Sequence, residues 1–210
     1  MNVKIISDST CDLSSELLSR YDIDIVPLSV TLGDFTGRDG MEVTPAKIYQ
    51  HVAECKELPK TSAVNTEEYV RVFRSWREKG YSIVHFCISS EFSSCYQNAC
   101  AAAQEMDEVY VVDSRNLSSG QGLLVLKGAE MARDGASARE IQEECTRLTN
   151  KVEASFILDR LDYMHKGGRC SAITMMGANV LHLKPCIEVM GGKMAPTKKY
   201  RGRFRQVLLN

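Results

Sequence analysis

The sequence predicts an α/β fold with a parallel sheet, because short β-branched segments alternate with amphipathic helical patterns. In the first two thirds of the chain the strand candidates are "VKIIS", "IDIVPLSVTL", "SIVHFCI" and "VYVVDS". Such an alternation forms right-handed crossovers that cover both faces of a parallel sheet with helices. The regular alternation of strands and helices ends near residue 152. Together with the length of 210 residues, this change indicates a second, smaller unit.

We therefore predict two domains. Residues 1–151 form a three-layer α/β/α domain, and residues 152–210 form a partial two-layer α/β domain. The second domain begins with a strand, "ASFIL", a short helix, a Gly-Gly break and a further helix. The segments "KPCIEVM" and "KMAPTKKY" follow as a β-hairpin around Gly191 and Gly192, and a basic helix, "RGRFRQVLLN", closes the chain.

Capping residues mark the predicted helix starts in the first domain. The helix in "STCDLSSELL" is capped by Ser14 or Asp12, and the helix in "NTEEYVRVF" by Asn65 or Thr66. The segment "KTSAVN", residues 60–65, opens the second of these helices. Three later helices are predicted in "QNACAAAQEM", "GQGLLVLKGAEMARDG" and "SAREIQEECTRLTNKV".

Composition and charge exclude several classes of protein. Hydrophobic residues make up 44% of the chain and charged residues 25%, which is typical of a globular protein. The net charge of -1 lacks the basic excess that nucleic-acid binding requires, so we predict no nucleic-acid partner. Because no signal-peptide pattern and no run of about 18 apolar residues occurs, we predict a cytoplasmic protein without a transmembrane segment.

The eight cysteines are predicted to be buried thiols. They are scattered through apolar contexts, no C-x-x-C pair occurs, and a chain of this length does not need disulfides to be stable. A disulfide framework and a metal site are the alternatives. We predict neither a metal nor a cofactor.

Hydroxyl-rich segments stand where ligands bind in parallel α/β sheets, beyond the carboxyl ends of strands. They are "SDSTCDLSS", "CISSEFSSCYQ" and "DSRNLSSGQG", with "KTSAVN" as a fourth. Hydroxyls and free helix N–H groups suit an anionic head group. The simpler interpretation is that each serine or threonine only caps a helix.

Motifs for other chemistry are weak. Gly120 and Gly122 form G-x-G after a strand, but no third glycine completes a dinucleotide fingerprint, and the P-loop pattern is absent. No G-x-S-x-G elbow occurs, and His85, within an aliphatic strand, is interpreted as a core or pocket-wall residue rather than a catalytic base.

Two basic segments are further candidate sites. In "HKGGRCS", the two glycines either let the chain turn so that Arg169 projects into a site, or end a helix and leave Arg169 on the surface. The segment "KKYRGRFRQ" places Arg201 at a basic helix start or on a solvated face.

In order along the chain, several segments resemble the DegV family of bacterial fatty-acid-binding proteins. They are "DSTCDL" (8–13), "TS" (61–62), "ISSEFSSCYQNA" (88–99), "VVDS" (111–114), "GQGLL" (120–124), "KGGR" (166–169), "LKPCIEVMGGKM" (183–194) and "RG" (201–202). The resemblance implies the DegV fold, which is related to that of dihydroxyacetone kinase. It also implies a buried long-chain fatty acid as ligand, and a non-enzymatic carrier that presents this acid to a fatty acid kinase.

By position, the resemblance assigns carboxylate binding to Thr61 or Ser62 and to Ser93, with Ser94 beside it. It associates Arg169 and Arg201 with acyl phosphate or with kinase docking. The chain departs from the family pattern at two places. It has "TSAVN" where the family often has T-S-Q-P-S, and "SSC" where the family has S-G-T, so that Ser94 replaces a glycine. Family members also continue further, so the chain is expected to be truncated. Two hypotheses remain beside the carrier: a dihydroxyacetone kinase-like phosphotransferase subunit, and a degraded member that folds by dimerisation and binds nothing.

Overall fold

The computed structural model describes residues 2–159, 162–169 and 183–208. Internal contacts divide the chain into two compact units, Met1–Val152 and Glu153–Asn210. That these units fold independently, as domains divided at residues 151 and 152, stays a prediction. The helix predicted between the Gly-Gly pair and "LKPCIEVM" lies outside the described residues.

A four-stranded parallel sheet forms the centre of the first unit, with the strand order β2-β1-β6-β7. Its strands are β1 (Val3–Asp8), β2 (Ile23–Val26), β6 (Ser82–Cys87) and β7 (Val109–Asp113). The helices of this unit are α1 (Ser15–Arg20), α2 (Pro45–Cys55), α3 (Thr66–Arg77), α4 (Cys95–Ala103), α5 (Ser118–Arg133) and α6 (Ala138–Leu148), with short 3-10 helices at Ser9–Cys11 and Thr149–Lys151. In the described parts of both units, no helix is long and apolar enough to cross a membrane.

Alternate residues of β6 face opposite layers of helices. Phe86 belongs to a buried cluster that includes Leu124 of α5 and Ile141 of α6. The neighbouring His85 instead has its ring centroid 5.0 Å from that of Tyr69 and 5.4 Å from that of Phe73, both on α3. The sheet is therefore covered on both faces, and the predicted α/β class is confirmed.

For two helices the structure shows which of the two candidate residues is the N-cap. The Ser14 side chain accepts a hydrogen bond from the Leu17 N–H at 3.3 Å, whereas Asp12 lies one turn earlier with a positive φ of 51°. The Asn65 side chain accepts one from the Glu68 N–H at 2.8 Å. Each cap satisfies a donor that the first helical turn leaves unpaired.

A small antiparallel sheet in the first unit was not predicted. It contains β3 (Ser29–Leu32), β4 (Phe35–Arg38) and β5 (Lys60–Ser62) in the order β4-β3-β5. The run "IDIVPLSVTL" is therefore not one strand, since Pro27 separates β2 from β3 and cannot donate a ladder hydrogen bond. The interpretation of "KTSAVN" as a helix start was also wrong over Lys60–Ser62, which pairs with β3.

Lys4 of β1 is almost fully buried, with 1% of its surface exposed. Its Nζ lies 2.8 Å from Asp22 Oδ1 and 3.0 Å from Asp24 Oδ1, and 4.3 Å from the centre of the Trp76 ring. Asp24 also accepts a hydrogen bond from Trp76 Nε1 at 2.8 Å. These contacts compensate the cost of burying an ammonium group and join β1, β2 and α3.

The second unit contains an antiparallel sheet with the order β10-β9-β8. Its elements are β8 (Ala154–Ile157), α7 (Asp162–Gly167), β9 (Leu183–Met190), β10 (Lys193–Arg201) and α8 (Phe204–Val207). The hairpin between β9 and β10 turns at Gly191 and Gly192, whose φ values of 57° and 82° suit glycine. The predicted hairpin is thus confirmed.

Candidate functional site

Buried serines in the hydroxyl-rich segments hold the loops together. Ser7 Oγ donates to the Phe86 carbonyl at 3.2 Å, and Ser114 Oγ donates to the Asn116 carbonyl at 3.0 Å. Ser89 Oγ accepts from the Glu91 N–H at 3.3 Å. All three side chains are fully buried. Their hydroxyls are therefore structural.

Asp8, at the end of β1, is the centre of a buried network. Its Oδ1 accepts a hydrogen bond from the Tyr69 hydroxyl at 2.7 Å and lies 3.1 Å from His85 Nε2. Its Oδ2 accepts from the Ile88 N–H at 3.0 Å. Ile88 begins the segment 88–94, which we call the serine loop. The carboxylate thus fixes the start of this loop to β1, to α3 and to β6.

Burial keeps the Tyr69 hydroxyl and the Cys87 thiol, both close to Asp8, protonated. Burial, and then the charge of Asp8, raises the pKa of the Tyr69 hydroxyl far above its ordinary value. The same two causes raise the pKa of the Cys87 thiol well above its ordinary value. A protonated, buried thiol is a poor nucleophile. His85 itself is fully buried, in agreement with its interpretation as a core residue.

Asp8, His85 and Cys87 are close enough to be considered as metal ligands, since their donor atoms lie within 4.8 Å of one another. Both oxygens of Asp8 already accept hydrogen bonds from protein donors, and His85 Nε2 faces Oδ1. Hydrogen bonding therefore accounts for the close approach of Asp8 and His85 without an ion.

A second carboxylate, Asp113 at the end of β7, organises the serine loop from the other side. Its Oδ1 accepts from the Ser90 N–H at 3.2 Å and from the Arg115 N–H at 2.9 Å. Arg115 has a positive φ of 52°, a conformation that side chains rarely adopt. Asp8 and Asp113 were not among the predicted site residues, although each is an acid at the carboxyl end of a strand and this position could have indicated them.

The four residues predicted to bind a carboxylate are more accessible than the structural serines. Thr61, Ser62 and Ser94 are exposed, and Ser93 is half-buried. Ser93 Oγ accepts from the Cys95 N–H at 3.3 Å and donates to Cys95 Sγ at 3.2 Å. Ser94 precedes α4 and makes no side-chain cap. We refer to these four as the head-group residues.

The two segments that carry the head-group residues meet at Val64. Asn98 Nδ2 of α4 donates to the Val64 carbonyl at 2.7 Å. Cys95, the residue that Ser93 contacts, is the first residue of the same helix. Burial raises the pKa of the Cys95 thiol, while the hydrogen bond from Ser93 lowers it. Val64, two residues after Ser62, is thus linked to α4.

The two predicted basic contacts lie in the second unit. Arg169 is exposed just beyond α7, and its Nη1 donates to the Gly167 carbonyl at 2.9 Å, in agreement with a surface arginine after a helix end. Arg201 is exposed at the end of β10, where it pairs with Leu183. Arg203 and Arg205 are exposed beyond it.

Close packing explains the two glycines of the G-x-G pattern. A Cβ atom at Gly120 would lie 2.2 Å from the Asn116 side-chain oxygen, and one at Gly122 would lie 2.8 Å from the Cys11 carbonyl oxygen. Both distances are far below van der Waals contact. The glycines allow α5 to approach the loops beside it, and this packing accounts for them without a nucleotide.

A cavity of about 430 Å³ in the first unit lies at the other end of β1, lined among others by Asn2, Ile5, Tyr21, Arg133 and Ala136. Because β1 runs from Val3 to Asp8, this cavity opens at the amino end of the sheet. It is therefore separate from the serine loop, which follows the carboxyl ends of the strands.

Comparisons with known proteins agree with this architecture. A family model for uncharacterised proteins of the DegV family matches residues 2–207. A fatty acid-binding protein of Thermotoga maritima is 34% identical over 210 residues, which cover 96% of this chain and 72% of the relative. A DegV domain-containing protein of Clostridium perfringens is 32% identical over 207 residues, covering 98% of this chain and 74% of the relative.

Solved structures give the same result. The crystal structure of a stearic acid-binding protein from Eubacterium ventriosum matches with a TM-score of 0.87 at 34% identity, covering 97% of this chain and 72% of the other. A fatty-acid-binding DegV family protein from Thermus thermophilus matches with a TM-score of 0.86 at 32% identity, covering 96% and 72%. Sequence and fold together therefore place this chain in the DegV family.

Proposed function

We propose that the chain binds a long-chain fatty acid, whose tail lies in an apolar pocket and whose carboxylate is held by the head-group residues. The observation that carries this proposal is the match over nearly the whole chain to proteins named for fatty-acid binding. The accessible hydroxyls of Thr61, Ser62 and Ser94 support the location of the head group.

The acyl tail supplies most of the affinity in this proposal. Each buried CH₂ contributes about 0.8 kcal/mol, so about fifteen methylenes have a gross transfer free energy of about 12 kcal/mol. Part of this is lost in ordering the tail and the protein. The remainder is enough for tight binding without a strong attraction for the carboxylate.

The carboxylate then needs hydrogen-bond partners more than it needs an opposite charge. A buried acceptor that lacks donors costs about 1–3 kcal/mol, and more when charged. The hydroxyls of Thr61 and Ser93, with N–H groups at the start of α4, satisfy it. Neutral donors also leave a carboxylate oxygen open to phosphorylation, whereas a bidentate arginine would occupy both oxygens.

We further propose that the protein acts in the cytoplasm as a carrier, without catalysing a reaction, and presents its ligand to a fatty acid kinase. Arg169 and Arg201 are the candidate contacts for the kinase or for the acyl phosphate. Ten lysines and arginines against four acidic residues in 153–210 support a basic docking surface on the second unit.

Organic extraction of the purified protein, followed by mass spectrometry, tests the ligand. We expect C14 to C20 fatty acids in near-stoichiometric amount, since a buried tail dissociates slowly. Protein that carries none, and that takes up no added palmitate, would contradict the proposal. Phosphate transfer to a small polyol by such protein would favour the phosphotransferase hypothesis instead.

Removing two head-group hydroxyls tests the site. We expect Thr61→Ala with Ser93→Ala to weaken palmitate binding about a hundredfold or more, because each hydrogen bond to a charged group is worth about 1.5–3 kcal/mol and two are removed. Calorimetric titration measures the change. Thr146→Ala, which removes an exposed hydroxyl on α6, is the control and should bind like the parent. Unchanged affinity of the double variant would exclude this site.

A further inference from the structure

The side chain of Asn98 connects the two segments that carry the head-group residues. It is half-buried on α4, and its Nδ2 donates to the carbonyl of Val64 at 2.7 Å across 34 residues of sequence. Val64 is therefore tied to α4 by the side chain of Asn98.

This contact matters because β5 has little other support. The strand comprises Lys60–Ser62, is exposed at all three residues, and among the described strands pairs with β3 alone. Ser93 is attached to the start of α4 through its two hydrogen bonds with Cys95. The separation between the Thr61 and Ser93 hydroxyls thus depends on how Val64 is tied to α4.

Resting on the proposed function, we infer that Asn98 is a positioning residue for the carboxylate of the bound fatty acid. It fixes the spacing of donors that approach the carboxylate from β5 and from α4. A carboxylate offers two equivalent charged oxygens and needs donors at a defined separation. A methyl ester has a neutral head group and forms weaker hydrogen bonds, so it depends less on this spacing. Asn98 therefore contributes to the preference for the free acid over its ester.

The test compares palmitate with methyl palmitate in Asn98→Ala and Asn98→Asp. The aspartate variant is nearly isosteric but cannot donate to the Val64 carbonyl when ionised. Dissociation constants are measured by displacement of a fluorescent fatty acid from the full chain. We expect both variants to lower the preference for the acid about tenfold, with little change in ester affinity. Gln97→Ala, exposed on the same helix, should keep the preference of the parent.

A double-mutant cycle shows whether Asn98 acts through the head-group residues. If it does, Asn98→Ala adds little to the loss of preference already caused by Thr61→Ala. Fully additive losses, or an equal loss of acid and ester affinity, would overturn the inference. It would also fail if Thr61→Ala and Ser93→Ala lowered the preference while both Asn98 variants kept it, although the proposed function would then survive. A parent protein that binds neither ligand would refute the proposed function itself.

Discussion

Replacing Asp8 by alanine is expected to destabilise the first unit by about 3–5 kcal/mol, the usual cost of removing one partner from a buried charged network. The change leaves the Tyr69 hydroxyl, His85 Nε2 and the Ile88 N–H without their acceptor in the apolar interior. At about 2–4 °C for each kcal/mol, the melting temperature should fall by roughly 6–20 °C.

The fluorescence of Trp76, the single tryptophan of the chain, reports the unfolding of this unit in urea. Asp107→Ala is the matched control, since it removes an exposed carboxylate from the turn before β7 and should leave the midpoint almost unchanged. Asp8→Asn keeps an oxygen for the Tyr69 hydroxyl, so its urea midpoint should lie between those of Asp8→Ala and Asp107→Ala. If Asp8→Ala unfolds at the same urea concentration as the parent, the network does not stabilise the fold.

The substitution Gly122→Ala should also destabilise the protein, although helix propensity predicts the opposite. In a helix interior, alanine is favoured over glycine by up to about 1 kcal/mol. Here the added Cβ would lie 2.8 Å from the Cys11 carbonyl oxygen and 3.0 Å from a Leu13 methyl carbon. A backbone carbonyl moves less easily than a side chain, so overpacking that costs about 1–3 kcal/mol outweighs the gain.

Thermal unfolding followed by circular dichroism measures the effect of Gly122→Ala. Gly167→Ala serves as the control, because Gly167 is also helical but has no atom within 4 Å of an added Cβ. We expect the control to be neutral or stabilising. A higher melting temperature for Gly122→Ala would mean that α5 can shift away from Cys11, and that the close approach is not required.

The parallel sheet was predictable because its strands are short segments rich in β-branched residues, and both faces of such a sheet are buried. Ser82–Cys87 is buried at every residue, so its composition indicates its environment. The sheet β4-β3-β5 was not predictable in this way. Lys60–Ser62 is polar and exposed throughout, and it is a strand only because β3 offers its edge. No local pattern contains that information.

The candidate site was also predictable only in part. The positions of the hydroxyl-rich loops followed from strand ends, but the sequence does not distinguish Ser89, which is buried and structural, from the exposed Ser94. Partners far along the chain make this difference. Asp8 and Ile88 are 80 residues apart, and Asn98 and Val64 are 34 apart. The assignment of Thr61 and Ser93 to a carboxylate depends on family resemblance and stays a prediction.

The buried ammonium of Lys4 has a consequence for how the protein forms during synthesis. β1 is synthesised before the residues that compensate its buried charge, because Asp22, Asp24 and then Trp76 follow Lys4 along the chain. Its other neighbour in the sheet, Ser82–Cys87, is translated later still. β1 can pair with β2 early, but its pairing with Ser82–Cys87 must follow the synthesis of nearly eighty further residues, and such a long-range contact forms slowly.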